Sequence, residues 1–386
     1  MTSFNKDQPE KKPVFSDPEE FLRDYWQKKP LLIRQAFPGF EPELDADDIA
    51  GLACDELAES RLITGSIEKC DWQVRYGPFS DDDFSSLPDR NWTLLVQDVE
   101  KHYPPLQNLL DYFAFIPSWR IDDLMVSVAG RGGSVGPHVD QYDVFLLQAS
   151  GRRRWQIAEA FEPGLLAGCE LEVLEHFRAE QEWTLEPGDL LYLPPGVAHF
   201  GVALDPGATW SIGMRAPGTV ELYQSLGDWL AERDGAAPRY RDPGLVPAES
   251  RGQIEADAVR GFQQLAMECI HNEAAFSDFL GAFLSRYRLA HDPAPPAEPV
   301  DSEYLRAALR GGATLRHNPW TRLLWMDAAG GTCLFAAGER LACDGASAAL
   351  ICDPHRLAML DENTPASLLE RVHELVEQGH LYLETL

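Results

Sequence analysis

The chain lacks most of the marks of a secreted, membrane-bound or nucleic-acid-binding protein. Its seven cysteines (Cys54, Cys70, Cys169, Cys269, Cys333, Cys343 and Cys352) are odd in number and scattered, and no C-x-x-C occurs. That argues against a disulfide framework and a zinc knuckle, and it fits a reducing compartment. No uncharged apolar stretch is long enough to span a bilayer. The opening "MTSFNKDQPEKKPVF" has no apolar run of the signal-peptide kind. A soluble, cytoplasmic protein without membrane association is expected. Positive charge is also scarce, with 33 Lys and Arg against 62 Asp and Glu, a net −29. Such a balance disfavours direct nucleic-acid binding and suits a basic protein or peptide as partner.

What the chain does have is enough apolar material for large cores, at 45% hydrophobic and 10% aromatic residues. Its 386 residues suggest two or three domains. Asp17–Pro18 starts a helix with Phe21, Leu22 and Tyr25 as its apolar stripe, "PLLIRQAF" reads as a strand, and "DADDIAGLAC" as a second helix capped by Asp45 or Asp47. From about 90 to 217 short apolar runs alternate with Gly, Pro, Asn and Asp, among them "WTLLVQDV", "DLMVSVAG", "DVFLLQAS", "RRRWQIAE" and "TWSIGMRAP". Many short strands so spaced indicate an antiparallel sandwich or barrel. After Pro217 the period becomes helical, in "TVELYQSLGDWLAERD" and in one long run from Ala258 to Ala290. "HDPAPPAEPV" (291–300) reads as a linker. Beyond it, a helix closed by Gly311, a hairpin turning at Gly330–Gly331 and again at Gly338, a helix in "PASLLERVHELVEQG" and a terminal strand make a small α+β, winged-helix-like unit. Its predicted helices carry no basic cluster. The expected domains are 1–217, 218–292 and 293–386.

The chemistry concentrates in three places. In "GGSVGPHVDQYDVF", His138 and Asp140 are two apart, so on a strand both side chains project the same way. In "LEPGDLLYLPPGVAHFG", His199 follows a proline corner. Two histidines and one carboxylate can form the facial triad of a non-haem Fe(II) oxygenase, which leaves coordination positions open. In "ASGRRRWQI", alternation puts Arg153 opposite to Arg152 and Arg154, so at least one guanidinium points inward, and a carboxylate is its natural match. The turn "GRGGSVG" is no nucleotide loop, for it lacks the G-x-G-x-x-G spacing and a following helix. Its glycines suit a tight entry beside the metal.

The motifs "PHVD", "LPPGVAH" and "GRRRW" resemble those of JmjC-type, 2-oxoglutarate-dependent Fe(II) oxygenases. With "YWQKKPLLIRQAF" and "HVDQYDVFLLQ", the chain is most similar to the bacterial ribosomal oxygenases, arginine hydroxylases acting on the sixteenth protein of the large ribosomal subunit. The resemblance covers essentially the whole chain, more loosely at the C-terminal unit. It implies a mainly β catalytic core, a double-stranded β-helix (jelly-roll) of the cupin/JmjC kind. A helical dimerisation segment and a winged-helix-like domain follow it, in a homodimer. It assigns the metal to His138, Asp140 and His199. It assigns the distal carboxylate of 2-oxoglutarate to Arg153, where many members carry lysine, and a further contact to Ser127. Fe(II), 2-oxoglutarate and O2 would serve as cofactor and co-substrates, with succinate and CO2 released and an arginine carbon-β hydroxylated. Tyr142 and Asp143 are candidates for the substrate side, Asp143 either pairing with a substrate guanidinium or bracing its strand. Two alternatives stay open: a hydroxylase of another basic protein, and a metal-dependent cupin isomerase or binding protein without oxygenase activity.

Overall fold

The computed structural model describes residues 15, 17–66, 71–233, 238–247, 250, 252–328 and 331–385. Packing divides the chain into Met1–Ala216 and Pro217–Leu386.

Among the described residues the first unit has twelve strands, β1 (Leu31–Ile33), β2 (Ser60–Thr64), β3 (Gln73–Tyr76), β4 (Trp92–Val96), β5 (Ile121–Ala129), β6 (His138–Val139), β7 (Val144–Ser150), β8 (Arg153–Ala158), β9 (Gln181–Leu185), β10 (Leu190–Leu193), β11 (Ala198–Ala203) and β12 (Gly207–Met214). Eight form a sheet in the order β1-β10-β7-β12-β5-β4-β2-β3, and four form a second sheet, β6-β11-β8-β9. Every named pairing is antiparallel. Alternation explains why these runs fold so. Val144 and Leu146 on β7 pack with Leu191 and Leu193 on β10 and with Trp155 and Ile157 on β8, filling the space between the sheets. The intervening residues Phe145 and Leu147 face the other way, into an aromatic-rich core under the N-terminal helices. The result is a jelly-roll.

Helix Pro18–Asp24 starts where proline and its cap predict, with the Asp17 carboxylate accepting the Glu20 N–H at 3.0 Å. Phe21 is its buried anchor, while Leu22 is exposed. Asp45, not Asp47, caps Ala46–Leu52.

In the second unit, helices Thr219–Glu232, Ala256–His271 and Glu273–Arg286 meet around Leu226, Phe279 and Phe283. The long helical run of the sequence is therefore two helices. They part at Asn272, whose backbone leaves the helical region and whose side chain accepts the Ala275 N–H. Helix Ser302–Arg310 is followed by β13 (Thr314–His317), β14 (Leu323–Ala328), β15 (Gly331–Ala336) and β16 (Glu339–Ala342). Helix Ala366–Glu377 and β17 (Leu381–Glu384) complete the unit. β14, β15 and β16 form the hairpin expected of a wing, and β17 closes on β13. Of the expected turns, Gly338 is in place with φ +98°, while Gly330 lies outside the described residues. Helix Glu273–Arg286 lies on the hairpin, Gly281 seating directly against Phe335. No described helix is long and apolar enough to cross a membrane.

Candidate active site

The two histidines face each other across one antiparallel pair. His138 on β6 is directly opposite His199 on β11, with ring centroids 4.2 Å apart. Asp140 comes just after β6, its Oδ2 3.6 Å from His199 Nε2. One ligand atom from each of His138, Asp140 and His199 lies within 4.8 Å of the others. The expectation that H-x-D sits within one strand needs correction. β6 ends at Val139, and Asp140 projects from the loop that leaves it. Nor does that strand run on into "DVFLLQ". β6 and β7 are separate strands in different sheets, with Asp140–Asp143 crossing between them.

Both rings are oriented in the same way. His138 Nδ1 meets the Gly136 carbonyl at 3.0 Å, and His199 Nδ1 meets the Val197 carbonyl at 3.0 Å. A carbonyl only accepts, so each Nδ1 donates its hydrogen and each Nε2 keeps a lone pair for a metal. Burial and then the neighbouring His138 ring hold the His199 pKa below the ordinary imidazole value, which favours its neutral form. The Gly196 N–H donates to the Asp140 carbonyl at 2.8 Å, tying the proline corner that leads to His199 to the loop that carries Asp140. Gly136 is required where it stands, with φ +80° and a Cβ that would meet Val173 at 2.8 Å.

Alternation sorts the arginines as the sequence suggests. Arg152 is half exposed and paired with Asp205, its Nε donating at 2.7 Å. Arg153 is buried and, with Trp155 and Ile157, faces the large sheet. Among the described residues its Nη2 reaches only the Gly201 carbonyl, at 3.3 Å, and its Nε has no partner. Burial pulls its pKa down to about 10. A buried guanidinium without a counter-charge is costly unless an anion completes it. Ser127 is buried on β5 opposite Thr209 on β12, and its Oγ donates to the Thr209 carbonyl at 3.2 Å. Thr209 in turn donates to Gln148 Oε1 at 3.0 Å, so a polar row crosses the inward face of the large sheet.

Two imidazoles whose Nε2 atoms are free of hydrogen and a carboxylate, with a buried cation on the neighbouring strand β8, fit Fe(II) and a dicarboxylate co-substrate. Asp143 does not fit a substrate role. It is fully buried, and its carboxylate accepts from Tyr192 Oη at 2.6 Å, Gln27 Nε2 at 2.9 Å and Arg120 Nη2 at 3.0 Å. Of its two readings the bracing one holds, and its guanidinium partner is the chain's own. Burial and the Asp143 carboxylate in turn raise the Tyr192 pKa. No local pattern marks Gln27, Arg120 and Tyr192, because their meeting depends on contacts 23 to 116 residues apart.

Residues 108–222 match the family model of the JmjC domain, and residues 268–382 that of the ROXA-like winged helix. The chain is 34% identical over 382 residues to the ribosomal protein uL16 3-hydroxylase of Escherichia coli (strain K12), covering 95% of this chain and 97% of the relative. It is 37% identical to a probable ribosomal oxygenase of Haemophilus influenzae, over 82% of this chain and 80% of that one. The structure of YcfD, a ribosomal oxygenase from Escherichia coli, in complex with cobalt and 2-oxoglutarate superposes with a TM-score of 0.83 at 33% identity. That match covers 95% of this chain and 98% of the other.

Proposed function

Because the chain belongs to the JmjC-type ribosomal oxygenases, 2-oxoglutarate-dependent hydroxylases that use Fe(II) and O2, we propose that it hydroxylates carbon-β of an arginine side chain in the large-subunit ribosomal protein uL16. The observation that carries this reading is the combination of the His138–Asp140–His199 cluster with the buried Arg153, whose Nε has no partner among the described residues. His138 and His199 would hold the iron through Nε2, since their Nδ1 hydrogens are committed to backbone carbonyls. Asp140 supplies the third ligand and removes part of the metal's charge. Arg153 would bind the distal carboxylate of 2-oxoglutarate, with Ser127 on the facing sheet as a further contact. When bound, iron with 2-oxoglutarate and O2 supplies the hydroxylating chemistry, with succinate and CO2 as co-products. The chain's own part is to hold these groups, exclude water with Trp155, Leu146 and Leu193, and orient the substrate carbon.

The net charge of −29 supports a basic substrate and disfavours direct contact with nucleic acid. The same reading places the protein in the cytoplasm, where ribosomes are. It also makes it a homodimer through the helical segment, where Val220, Tyr223, Val259 and Phe262 are exposed. The test is incubation with Fe(II), 2-oxoglutarate, O2 and purified ribosomal proteins, followed by peptide mass spectrometry. One added oxygen on an arginine of uL16 is expected. A mass shift on no ribosomal protein would overturn the substrate assignment.

A further inference from the structure

We propose that the buried network around Asp143 positions the metal ligand Asp140, and that through Gln27 it couples the N-terminal helix Pro18–Asp24 to metal binding. Gln27, Arg120, Asp143 and Tyr192 supply no ligand and act by position. The inference rests on the reading of His138, Asp140 and His199 as the metal site. His138 is held by the ladder of β6 against β11, but Asp140 lies beyond the end of that strand. A loop residue has no ladder to fix it, whereas a metal ligand must be held within about 0.5 Å. The loop Asp140–Asp143 is fixed from its ends instead. The Asp140 carbonyl accepts the Gly196 N–H at 2.8 Å, and the Asp143 carbonyl accepts the Met214 N–H at 2.9 Å. The Asp143 side chain adds a further anchor, and this one reaches to the start of the chain.

Its Oδ1 accepts from Tyr192 Oη, and its Oδ2 from Gln27 Nε2 and Arg120 Nη2. Gln27 makes a second bond, its backbone N–H donating to Tyr192 Oη at 2.8 Å. One residue thus grips both the carboxylate and the phenol that serves it. Gln27 does so with φ +56°, a left-handed conformation that is costly for a non-glycine residue and that its two bonds offset. Trp26, beside it, stacks on the Tyr192 ring at 5.9 Å and 18°, and the Arg120 guanidinium lies 5.3 Å from the Trp26 ring centre. Phe21, the buried anchor of the helix, meets Tyr192 edge-on at 5.0 Å. Helix, phenol, guanidinium and carboxylate form one packed body, and the loop that carries Asp140 is fastened to it. Loosening that body frees Asp140 to move. By reciprocity, a metal that fixes Asp140 steadies the helix.

The test titrates the full chain with Co(II), a coloured stand-in for Fe(II). Gln27→Asn tolerates the left-handed backbone, but its side chain is one methylene shorter and its amide falls short of Asp143. It is expected to bind Co(II) about ten-fold more weakly than the wild type, as for the loss of a group that supports a metal ligand, and to shift the visible absorption bands of the bound ion. A network that only stabilises the fold would lower Tm and leave both affinity and spectrum as they are. His138→Ala serves as the reference for the metal site. If Gln27→Asn binds Co(II) like the wild type, with the same spectrum, while His138→Ala does not, the positioning role is overturned and the metal assignment stands. If His138→Ala also binds like the wild type, the metal assignment is overturned. Should Gln27→Asn fail to fold, the wild-type protein decides by hydrogen exchange. Adding Co(II) should slow exchange in the peptide spanning residues 21–29, where the Gln27 amide is bonded to Tyr192, and should not do so in His138→Ala. Exchange there that Co(II) leaves unchanged in the wild type overturns the coupling.

Discussion

At the scale of single residues, the site is a set of buried polar groups of which some are satisfied and others wait. Arg153 waits. Replacing it by methionine removes a buried, unpaired cation, so the ligand-free protein should be no less stable than wild type and by analogy up to about 4 kcal/mol more stable. Thermal unfolding checks this, and added 2-oxoglutarate should raise the wild-type Tm but not that of Arg153→Met. Asp143 is the opposite case. Asp143→Ala leaves Arg120 and Tyr192 without their shared acceptor and should cost about 3–5 kcal/mol in urea unfolding. The difference between these residues also marks how far the sequence could be read. His138, Asp140, His199 and Arg153 were legible because each sits in a local pattern, a two-residue offset, a proline corner or an alternating run. Asp143 was not, since both of its readings are equally local, and only the distant Gln27, Arg120 and Tyr192 decide between them.

At the scale of elements, the strands of the jelly-roll were legible because turn residues punctuate them and one face must be apolar. The departures have physical causes. β6 is two residues long because Pro137 removes a donor at its start and the chain must leave for the other sheet after Asp140. The break at Asn272 was hidden because flanking His271 and Glu273 are as compatible with a helix as with its end. β13 is not legible locally, because "TLRH" becomes a strand only through its pairing with β17. One element junction has a pH signature. In the short helix Val99–His102, Glu100 is buried and its Oε2 accepts the Leu124 N–H of β5 at 2.9 Å. Burial pushes its pKa up to about 8, against an ordinary value of 4.5. The folded state therefore holds a proton that the unfolded state releases, and this contribution is full below pH 4.5 and lost as pH rises through about 8. Glu100→Gln, which keeps the acceptor and cannot ionise, should raise Tm more at pH 8 than at pH 5, by amounts read from paired melting curves.

At the scale of the whole molecule, the acidic surface and the winged-helix-like unit pull in different directions. A winged helix suggests nucleic acid, whereas a net −29 suggests a basic protein. If the charge steers a basic substrate to the site, kcat/KM should fall as ionic strength rises while kcat stays nearly constant, because screening acts on encounter. Steady-state kinetics across a salt series reads this directly. The central claim, that the His138–Asp140–His199 cluster carries out a 2-oxoglutarate-coupled hydroxylation of a ribosomal arginine, is tested most directly by isotope tracing. The wild-type protein and His138→Ala are supplied with Fe(II), 2-oxoglutarate, uL16 and heavy-isotope O2, and the modified peptide is weighed. The account predicts one heavy oxygen on an arginine of uL16 with the wild type and none with His138→Ala. An unlabelled product, or a labelled one formed equally well by His138→Ala, would contradict it.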